Sequence, residues 1–446
     1  MAKKYLIETF GCQMNDLDSE KIAGSLRHCG MEPADTASEA DIIILNTCSV
    51  REKAVQKVYA RLGELRSRKE KRQDLLVGVV GCMAQLEREK ILKRAPFVNI
   101  LAGPQKGHRM NDLVERSSGA QRPVIEMRSD DDPGPAETPY VIRQSSWRAG
   151  VTVSEGCNRR CAFCVVPATR GSERVRPSEN IVREVEDLAA KGYTEILLLG
   201  QTVNSYVDRR PEGLNFAQLL RRLSDIAGLK RIRFTSPHPA DFSDELLDVM
   251  VSCPQVCNHI HLPVQSGSTR MLRAMRRGYT REKYLRVISK IQNASREIAI
   301  STDLIVGFPG ETDGDFRDTL TLLDAVQYDS AFSFKYSPRP NTAALSLPGE
   351  IPEEEKGSRL EILQEHQKRI QEKKNSAYTG RFMEVLVEGN ARNRFNLTGR
   401  TGNNKIVNFD GPETLMGRIA EVEITGSSAN SLKGVWIHSK KESGVA

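Results

Sequence analysis

The sequence lacks the features that mark several common classes of protein. No run of about 18 apolar residues occurs in the 446-residue chain, and the opening segment MAKKYLIETFGCQMND has neither a long apolar core nor a secretory cleavage site. We therefore expect no membrane-spanning segment and a cytoplasmic location. No arrangement of Ser, His and Asp indicates a hydrolase triad.

A strong excess of one charge is also missing. The chain has 65 Lys and Arg against 58 Asp and Glu, a net charge of +7, which permits an anionic partner without requiring one. A composition of 39% hydrophobic and 28% charged residues is ordinary for a globular protein, and the length allows two or three domains.

The order of predicted elements indicates an α/β protein with three domains. Strands and helices alternate over residues 1–120, which predicts a parallel α/β sheet, and the Asp- and Pro-rich residues 121–145 predict a linker. Six β/α units within 146–376 are too few for a closed eight-unit barrel, so we expect a partial (β/α)6 TIM-like barrel with its chemistry at the C-terminal strand ends. Short strands between Gly and Asn turns at 377–440 predict a small all-β barrel.

Three of the nine cysteines lie close together, at 157, 161 and 164, in the spacing CxxxCxxC. In a reducing compartment we expect metal binding rather than disulfides. This spacing fits a tetrahedral zinc site poorly. Thiolates are the normal ligands of iron–sulfur clusters, and three of them leave one iron of a 4Fe–4S cube open. The alternatives are a zinc-binding loop and three cysteines that bind no metal.

Three more cysteines, Cys12, Cys48 and Cys82, each follow an apolar strand and precede a helix. Strand ends of a parallel sheet share one edge, so these thiols are expected to converge at helix N-termini, which favour thiolate. They predict a second three-ligand cluster, and three buried structural cysteines is the alternative. Cys29 is interpreted as a packing residue, and the pair Cys253 and Cys257 is too small to hold a cube.

CxxxCxxC at the start of a β/α array resembles the radical S-adenosylmethionine superfamily. The resemblance implies that S-adenosylmethionine binds the open iron and is cleaved to a 5′-deoxyadenosyl radical. Both cysteine sets, their order and the all-β tail resemble the methylthiotransferase family. This implies two 4Fe–4S clusters, with Cys12, Cys48 and Cys82 holding an auxiliary one and Cys157, Cys161 and Cys164 the radical-generating one, and a C-terminal TRAM domain that binds RNA.

Four segments are similar to the tRNA branch of that family, MiaB: NTCSVREKA (46–54), GCNRRCAFCVVPATRGSE (156–173), HLPVQSGSTRMLRAMRRGYT (261–280) and STDLIVGFPGET (301–312). The Ser-Val-Arg after Cys48 favours this branch, whereas Ala168 and the Arg-Arg at 276 and 277 depart from its pattern. The branch methylthiolates C2 of N(6)-dimethylallyl (isopentenyl) adenosine at tRNA position 37, beside the anticodon. A methylthiotransferase for a ribosomal protein or for threonylcarbamoyl-adenosine tRNA, and a non-catalytic iron–sulfur RNA-binding sensor, stay as alternatives.

The superfamily resemblance also implies contacts to S-adenosylmethionine. Gly307 and Gly310, where bare backbone can approach an adenine, would cradle the nucleoside. Asp303, Gln265 and Ser266 would bond its ribose or carboxylate, Gln201 and Asn204 its amino group, and Phe163 would shield the cluster. Capping of loops is the alternative for each polar residue. His238, His259 and His261 are interpreted as loop or supporting residues.

The C-terminal segment is locally basic. Its candidate RNA contacts are Arg392, Arg394, Phe395, Arg400 and Lys405, which offer phosphate contacts and a stacking surface. A solvated face is the alternative. The expected partners are the anticodon stem-loop of tRNA and an electron donor such as flavodoxin or ferredoxin, with no membrane contact and a monomeric chain.

Overall fold

The fold was obtained as a computed structural model that describes residues 2–49, 52–129, 140–392 and 394–438. Within these ranges, none of the helices is long and apolar enough to cross a membrane. The chain forms three domains in the predicted order.

The N-terminal domain is a parallel sheet with helices on both faces. Its elements are β1 Lys4–Phe10, α1 Gln13–His28, β2 Glu32–Pro33, β3 Ile42–Thr47, α2 Glu52–Lys71, β4 Leu76–Gly81, α3 Cys82–Arg94, β5 Ile100–Ala102, α4 Met110–Ser117 and β6 Val124–Glu126.

The six strands lie in the order β2-β1-β3-β4-β5-β6, and every neighbouring pair is parallel. β3 and β4 are buried along their whole length, because α2 and α3 cover one face and α1 and α4 the other. Central strands covered on both faces are continuous apolar runs, which is why the sequence shows them clearly. β2, β5 and β6 have only two or three residues and were not predicted.

The linker begins later than the predicted residue 121. β6 pairs in register with β5 at the edge of the sheet, so residues 124–126 belong to the N-terminal domain. Of the expected linker, residues 130–139 lie outside the described residues. Cys29, predicted to pack inside, is exposed after the end of α1, while Cys253 and Cys257 are buried.

The central domain contains the six predicted barrel strands and the helices between them. Its elements are β7 Arg148–Thr152, β8 Ser154–Glu155, α5 Val166–Arg170, β9 Arg174–Val175, α6 Ser178–Ala190, β10 Glu195–Leu199, α7 Phe216–Ser224, β11 Arg231–Phe234, α8 Asp244–Ser252, β12 His259–His261, α9 Thr269–Ala274, α10 Arg281–Gln292, β13 Ala299–Val306, α11 Asp313–Val326, β14 Ser330–Lys335 and α12 Glu353–Ser376.

The barrel strands form two parallel sheets, β7-β10-β11 and β12-β13-β14. The segment before β12 joins them, since Ile232 donates to the Gln255 carbonyl (2.7 Å) and accepts from the Cys257 N–H (2.9 Å). The six strands therefore curve as one partial barrel around a large apolar core, and their C-terminal ends lie together.

The C-terminal domain is a closed five-stranded barrel in the order β15-β16-β17-β19-β18. Alternating apolar residues point inward, as the short-strand pattern predicted. Its strands are β15 Phe382–Asn390, β16 Leu397–Thr401, β17 Ile406–Phe409, β18 Ile419–Ser427 and β19 Leu432–Trp436.

Ion pairs connect the N-terminal and central domains. Arg143 bonds Glu20 (3.0 Å) and Glu184 (2.8 Å). Arg170, at the end of α5, bonds Asp18 of α1 at 2.5 Å, with both side chains almost completely buried. Removing one partner of such a buried pair costs about 3–5 kcal/mol, so these contacts fix how the strand ends of the two domains are placed.

Candidate functional site

Cys157, Cys161 and Cys164, here called the loop thiols, lie on the loop that follows β8. Gly156 precedes them with a φ of +80°, and a Cβ at this position would lie 2.1 Å from the carbonyl oxygen of Ser172. The Cys157 N–H donates to the Gly171 carbonyl (3.0 Å). Only glycine allows the chain to close so tightly, and the turn sets the three thiols at the C-terminal end of the barrel.

Each loop thiol accepts a hydrogen bond. Burial raises the pKa of Cys164 to about 12, so a metal would have to displace its proton. Donors to sulfur stabilise the thiolate form that binds iron. The donors are Arg277 Nη1 to Cys161 Sγ (3.3 Å), the Arg159 N–H to Cys157 Sγ (3.4 Å) and the Val166 N–H to Cys164 Sγ (3.5 Å).

Cys12, Cys48 and Cys82, here called the N-terminal thiols, follow β1, β3 and β4, which are neighbours in the sheet. Cys12 is the N-cap residue of α1 and Cys82 begins α3. The structure brings these thiols together at one sheet edge. Of the Ser-Val-Arg segment, Ser49 is buried, whereas residues 50 and 51 lie outside the described residues.

The surroundings of Cys12 favour its thiolate. A hydrogen bond from Cys48, opposed by burial, lowers the pKa of Cys12 to about 6, and the charge of Arg170 and backbone N–H groups of Asn15 and Met14 act in the same direction. This is the effect expected of a helix N-terminus on a thiol.

A buried arginine, Arg170, places positive charge at the N-terminal thiols. It follows Cys164 closely in the sequence, yet its guanidinium lies beside Cys82 in the N-terminal domain, where burial raises the pKa of Cys82 and the positive charge opposes that rise. Asp18 accepts a hydrogen bond from Nη2 of Arg170, and Gln105 Nε2 donates a hydrogen bond to the Arg170 carbonyl (2.7 Å). Sequence reasoning missed this residue, since nothing in the motif indicates a partner so distant in the chain.

In the part of the chain that the structure describes, no three His, Cys, Asp or Glu side chains are arranged to hold a single metal ion. Thiolates of an iron–sulfur cube bind separate irons and need not converge on one point. The all-sulfur composition of both sets and the hydrogen bonds to their sulfur atoms fit such a cube.

The residues expected to contact S-adenosylmethionine fall into two groups. Some have side chains that are not used up by loop contacts, and others bond the protein backbone. Gln265 lies buried after β12 with a φ of +78°, a costly conformation for glutamine that is found at functional sites, and its backbone pairs with β13. Asp303 is half-buried beside His261 (Nε2 to Oδ1, 3.4 Å). Phe163 packs on an apolar cluster that includes Phe308 and Tyr336.

Asn204 and Ser266 instead form hydrogen bonds to the backbone of neighbouring loops. Asn204 donates to the His238 carbonyl (3.0 Å) and accepts from the His238 N–H (2.7 Å), so both ends of its amide bind backbone. Ser266 is fully buried and accepts from the Ser268 N–H (3.2 Å). These contacts support the loop-capping alternative for both residues.

The fold itself requires glycine at positions 307 and 310, whether or not a ligand binds there. At Gly307 (φ +69°) a Cβ would lie 2.3 Å from Cγ of Lys356, so the close approach here is to α12. Gly310 (φ +77°) donates its N–H to the Gly349 carbonyl (2.6 Å). The contact of Gly307 and Gly310 with an adenine stays a prediction.

Buried polar atoms at the strand ends lack hydrogen-bond partners among the described residues. Burial lowers the pKa of His238 to about 2, so its imidazole is neutral. Unsatisfied buried groups are rare in proteins, and a cluster of them at one end of a barrel indicates a polar ligand. Apart from Gln201, these atoms were not predicted as ligand contacts. They are Thr152 Oγ1, Ser154 Oγ, Gln201 Oε1, His238 Nε2 and Tyr336 Oη.

The expected RNA contacts are only partly at the surface. Arg392 and Arg394 are exposed, and the Arg394 guanidinium stacks on the Phe395 ring (4.9 Å). Arg400 is half-buried and bonds Glu388 (3.1 Å). The prediction that Lys405 contacts RNA was wrong. Lys405 is buried and pairs with Asp329 (2.9 Å), because the residue just before β17 packs against the central domain.

Comparisons with known protein families match all three domains. Residues 4–103 match an uncharacterized protein family, UPF0004, residues 151–323 the Radical SAM superfamily, and residues 376–437 the TRAM domain.

Curated relatives match almost the whole chain. A tRNA-2-methylthio-N(6)-dimethylallyladenosine synthase of Solibacter usitatus is 48% identical over 97% of both chains. The protein of the same name from Koribacter versatilis is 46% identical over 97% of this chain and 98% of its own. One from Yersinia enterocolitica is 42% identical over 99% and 94%.

Solved structures share the fold at low identity. The radical S-adenosylmethionine methyltransferase TsrM from Kitasatospora setae superposes with a TM-score of 0.53 at 14% identity over 77% of each chain. The cobalamin-dependent S-adenosylmethionine radical enzyme OxsB does so with a TM-score of 0.51 at 16% identity over 82% of this chain and 56% of its own.

The partial barrel, its match to the Radical SAM superfamily and the names of its relatives thus define a radical S-adenosylmethionine enzyme with a C-terminal TRAM domain. This confirms the expected fold class and the expectation of an iron–sulfur cluster and S-adenosylmethionine as cofactors, while the second cluster stays a prediction. The chain belongs to the family of tRNA-2-methylthio-N(6)-dimethylallyladenosine synthases.

Proposed function

We propose that this protein adds a methylthio group to C2 of N(6)-dimethylallyladenosine at tRNA position 37, beside the anticodon. The names of its relatives support the reaction and the TRAM match supports tRNA as the substrate. The observation that carries the proposal is the presence of two three-thiol sets, one at the C-terminal strand ends of the N-terminal sheet and one on the loop after β8, in two domains that the buried Arg170–Asp18 pair holds together.

The loop thiols would hold one 4Fe–4S cluster and the N-terminal thiols a second. When bound, these clusters and S-adenosylmethionine supply what side chains lack, namely one-electron chemistry strong enough to remove an aromatic C–H hydrogen and a site for the sulfur that replaces it. The chain's own part is to bind, orient and exclude water.

The buried polar atoms without partners at the strand ends support a binding site for S-adenosylmethionine there. Gln201 would bond its polar groups, with His238 and Tyr336 as donors or acceptors that the sequence did not indicate. Gln265 and Asp303, which follow or belong to neighbouring barrel strands, would add further contacts. The apolar cluster around Phe163 covers one side of the loop thiols and would help to exclude water from a reactive radical once the ligands are bound. Asn204 holds the His238 loop in place.

RNA would contact the C-terminal barrel at the turn before β16. Arg392 and Arg394 offer exposed charge for phosphates, and Phe395 offers a ring beside them. The acceptor adenosine has to leave its stack to reach the strand ends of the central barrel, as bases do in other base-modifying enzymes.

A basic cavity beside the loop thiols suits an acidic electron donor such as flavodoxin or ferredoxin. It has a volume of about 400 Å³ and is lined by Arg159, Arg160, Arg276 and Arg277 with Glu173 as its acid. Such a concentration of one charge steers an oppositely charged partner. A monomeric chain in the cytoplasm completes the proposal.

Anaerobic incubation with reductant, S-adenosylmethionine and tRNA containing N(6)-dimethylallyladenosine tests the function. Mass spectrometry of the digested nucleosides is expected to show the 2-methylthio product. Variants with Ala at the loop thiols are expected to form no 5′-deoxyadenosine, and variants with Ala at the N-terminal thiols no methylthio product.

The alternatives give different results in the same assay. Formation of 5′-deoxyadenosine without the methylthio nucleoside would contradict the assigned substrate and favour the ribosomal-protein or threonylcarbamoyl-adenosine branch. No 5′-deoxyadenosine at all, with iron–sulfur clusters present and tRNA bound, would favour the non-catalytic sensor.

A further inference from the structure

A buried asparagine lies between the turns that carry the N-terminal thiols. Asn46 is on β3, two residues before Cys48, and its side chain is completely buried. Its Nδ2 donates to the Asn15 carbonyl (2.8 Å) and the Ser19 hydroxyl (2.9 Å), and its Oδ1 accepts from Nδ2 of Asn15 (3.1 Å). Protein groups therefore satisfy the whole amide, and no ligand is needed to explain its burial.

Asn15 extends this contact to the first of the three thiols. It is the third residue of α1, is fully buried, and its Oδ1 accepts from the Cys12 N–H (3.4 Å). Sγ of Cys12 donates to the same oxygen (3.4 Å), but a thiol loses its proton when it binds a metal, so the backbone bond is the one that persists. A chain of hydrogen bonds thus runs from β3 to the turn that carries Cys12.

The turns before two of the thiols leave space for the two amides. A Cβ at Gly11 would lie 2.4 Å from Oδ1 of Asn15, and a Cβ at Gly81, where φ is +95°, would lie 2.6 Å from Oδ1 of Asn46. Neither approach is possible for a residue with a side chain. The Asn15–Asn46 pair therefore bonds or packs against the chain within two residues of every N-terminal thiol.

Joining the strand ends does not by itself require this pair. The Cys48 N–H donates to the Phe10 carbonyl (2.9 Å) and the Thr47 hydroxyl to the Val80 carbonyl (3.0 Å), and these bonds already connect β1, β3 and β4. Replacing two bonded polar partners by apolar groups of the same shape is often nearly neutral for stability. A fully satisfied buried polar pair instead restricts the chain to one arrangement.

We propose that Asn15 and Asn46 are positioning residues that fix the relative placement of the three N-terminal thiols before an iron–sulfur cluster is assembled on them. This inference rests on the proposed function, because that function includes a cluster at these thiols. The irons of a cube lie at set distances, so thiols already held at fixed separations lose less conformational freedom when they bind it. Loss of the pair then weakens retention of the cluster.

The test uses the full chain with the loop thiols changed to Ala, called the parent here, and a cluster reconstituted at the N-terminal thiols. Iron release to a ferrous chelator is followed without oxygen, and the electron paramagnetic resonance of the reduced cluster is recorded. Asn46→Ala is expected to release iron at least about tenfold faster and to alter the spectrum, because groups that orient metal ligands contribute about 10- to 100-fold to affinity. Asn15→Ala is expected to act in the same direction, and it places the best helix former in α1, which favours a folded variant.

A matched control separates this role from general stability. Asn99 lies at the opposite edge of the same sheet, where its Oδ1 accepts from the Val77 N–H (3.0 Å). Asn99→Ala is expected to lower the urea midpoint of the cluster-free chain, as Asn46→Ala does, but to release iron at the parent's rate and to keep the parent's spectrum.

Iron release at the parent's rate with an unchanged spectrum in both Asn15→Ala and Asn46→Ala would overturn the inference. So would an equal acceleration in Asn99→Ala, since it would trace the loss to a less stable domain. If the parent takes up no cluster, the second cluster of the proposed function and this inference fail together. If release is faster as expected but the enzyme with all six thiols forms no methylthio nucleoside, the inference stands and the proposed reaction fails.

Discussion

Nη1 of Arg277 donates a hydrogen bond of 3.3 Å to Sγ of Cys161, the middle loop thiol. The guanidinium is held rigidly, because Nε bonds the Tyr279 hydroxyl (3.1 Å) and Nη2 the Pro263 carbonyl (2.8 Å). A fixed, buried positive charge beside this sulfur would stabilise negative charge on the cluster that we propose the loop thiols hold.

Arg277→Met is expected to lower the midpoint potential of the cluster at the loop thiols by about 50 mV or more. The reduced cluster carries more negative charge, and loss of a charge-assisted hydrogen bond of about 1.5 kcal/mol disfavours it. A redox titration followed by electron paramagnetic resonance, with Ala at the N-terminal thiols, measures this. Arg276→Gln, at the exposed neighbour, is the control, and an equal potential in both variants would contradict the role of Arg277.

Charge reversal in the basic cavity is expected to impair the protein electron donor selectively. Arg160→Glu with Arg276→Glu should slow cluster reduction by flavodoxin at least about tenfold at low salt, because electrostatic steering raises association rates by 10-fold or more. Reduction by dithionite provides the control and should be unchanged, since a small reductant needs no docking surface. Equal slowing with both reductants would show that the cluster itself was altered.

The convergence of the N-terminal thiols could be predicted because it depends only on the direction in which the parallel strands run. Cys12, Cys48 and Cys82 follow apolar strands, and parallel strands end at the same edge whatever their side-chain packing. The loop thiols depend on local spacing. Both signals are present in short stretches of sequence.

Contacts between distant segments could not be predicted in this way. The partner of Arg170 is Asp18, and the partner of Lys405 is Asp329, each from another domain. Whether Asn204 faces a ligand or the His238 backbone depends on how two loops pack. The edge strand β6 was missed because three residues show no periodicity.

Arg392→Ala with Arg394→Ala is expected to weaken tRNA binding and to reduce its salt dependence. Each lost phosphate contact lowers the slope of log Kd against log salt by about 0.7 to 0.9. Filter binding at several salt concentrations measures it. Lys405→Met is the contrasting variant: it should keep the salt slope but lower the unfolding midpoint, because Asp329 loses a buried partner. A reduced slope in Lys405→Met would contradict the buried position of Lys405.

His259 is expected to make the protein less stable in mild acid. It lies on β12 with Nε2 bonded to the Ser301 hydroxyl (2.9 Å), and burial followed by the charge of Arg233 lowers its pKa to about 3. The unfolded chain binds a proton on this imidazole below about pH 6.5, whereas the folded chain does not until about pH 3. More protons are thus bound in the unfolded state between these limits, and the free energy of unfolding falls as the pH is lowered.

The contribution of His259 is up to about 1.4 kcal/mol per pH unit within that window. His259→Gln can still bond Ser301 but does not titrate, so urea unfolding between pH 6 and 4 should show a shallower loss of stability than in the parent chain. Ser301→Ala removes the hydrogen bond but keeps the buried imidazole, and it should lower stability while keeping the steep pH dependence. If His259→Gln and the parent lose stability equally across this range, the acid sensitivity belongs to other groups.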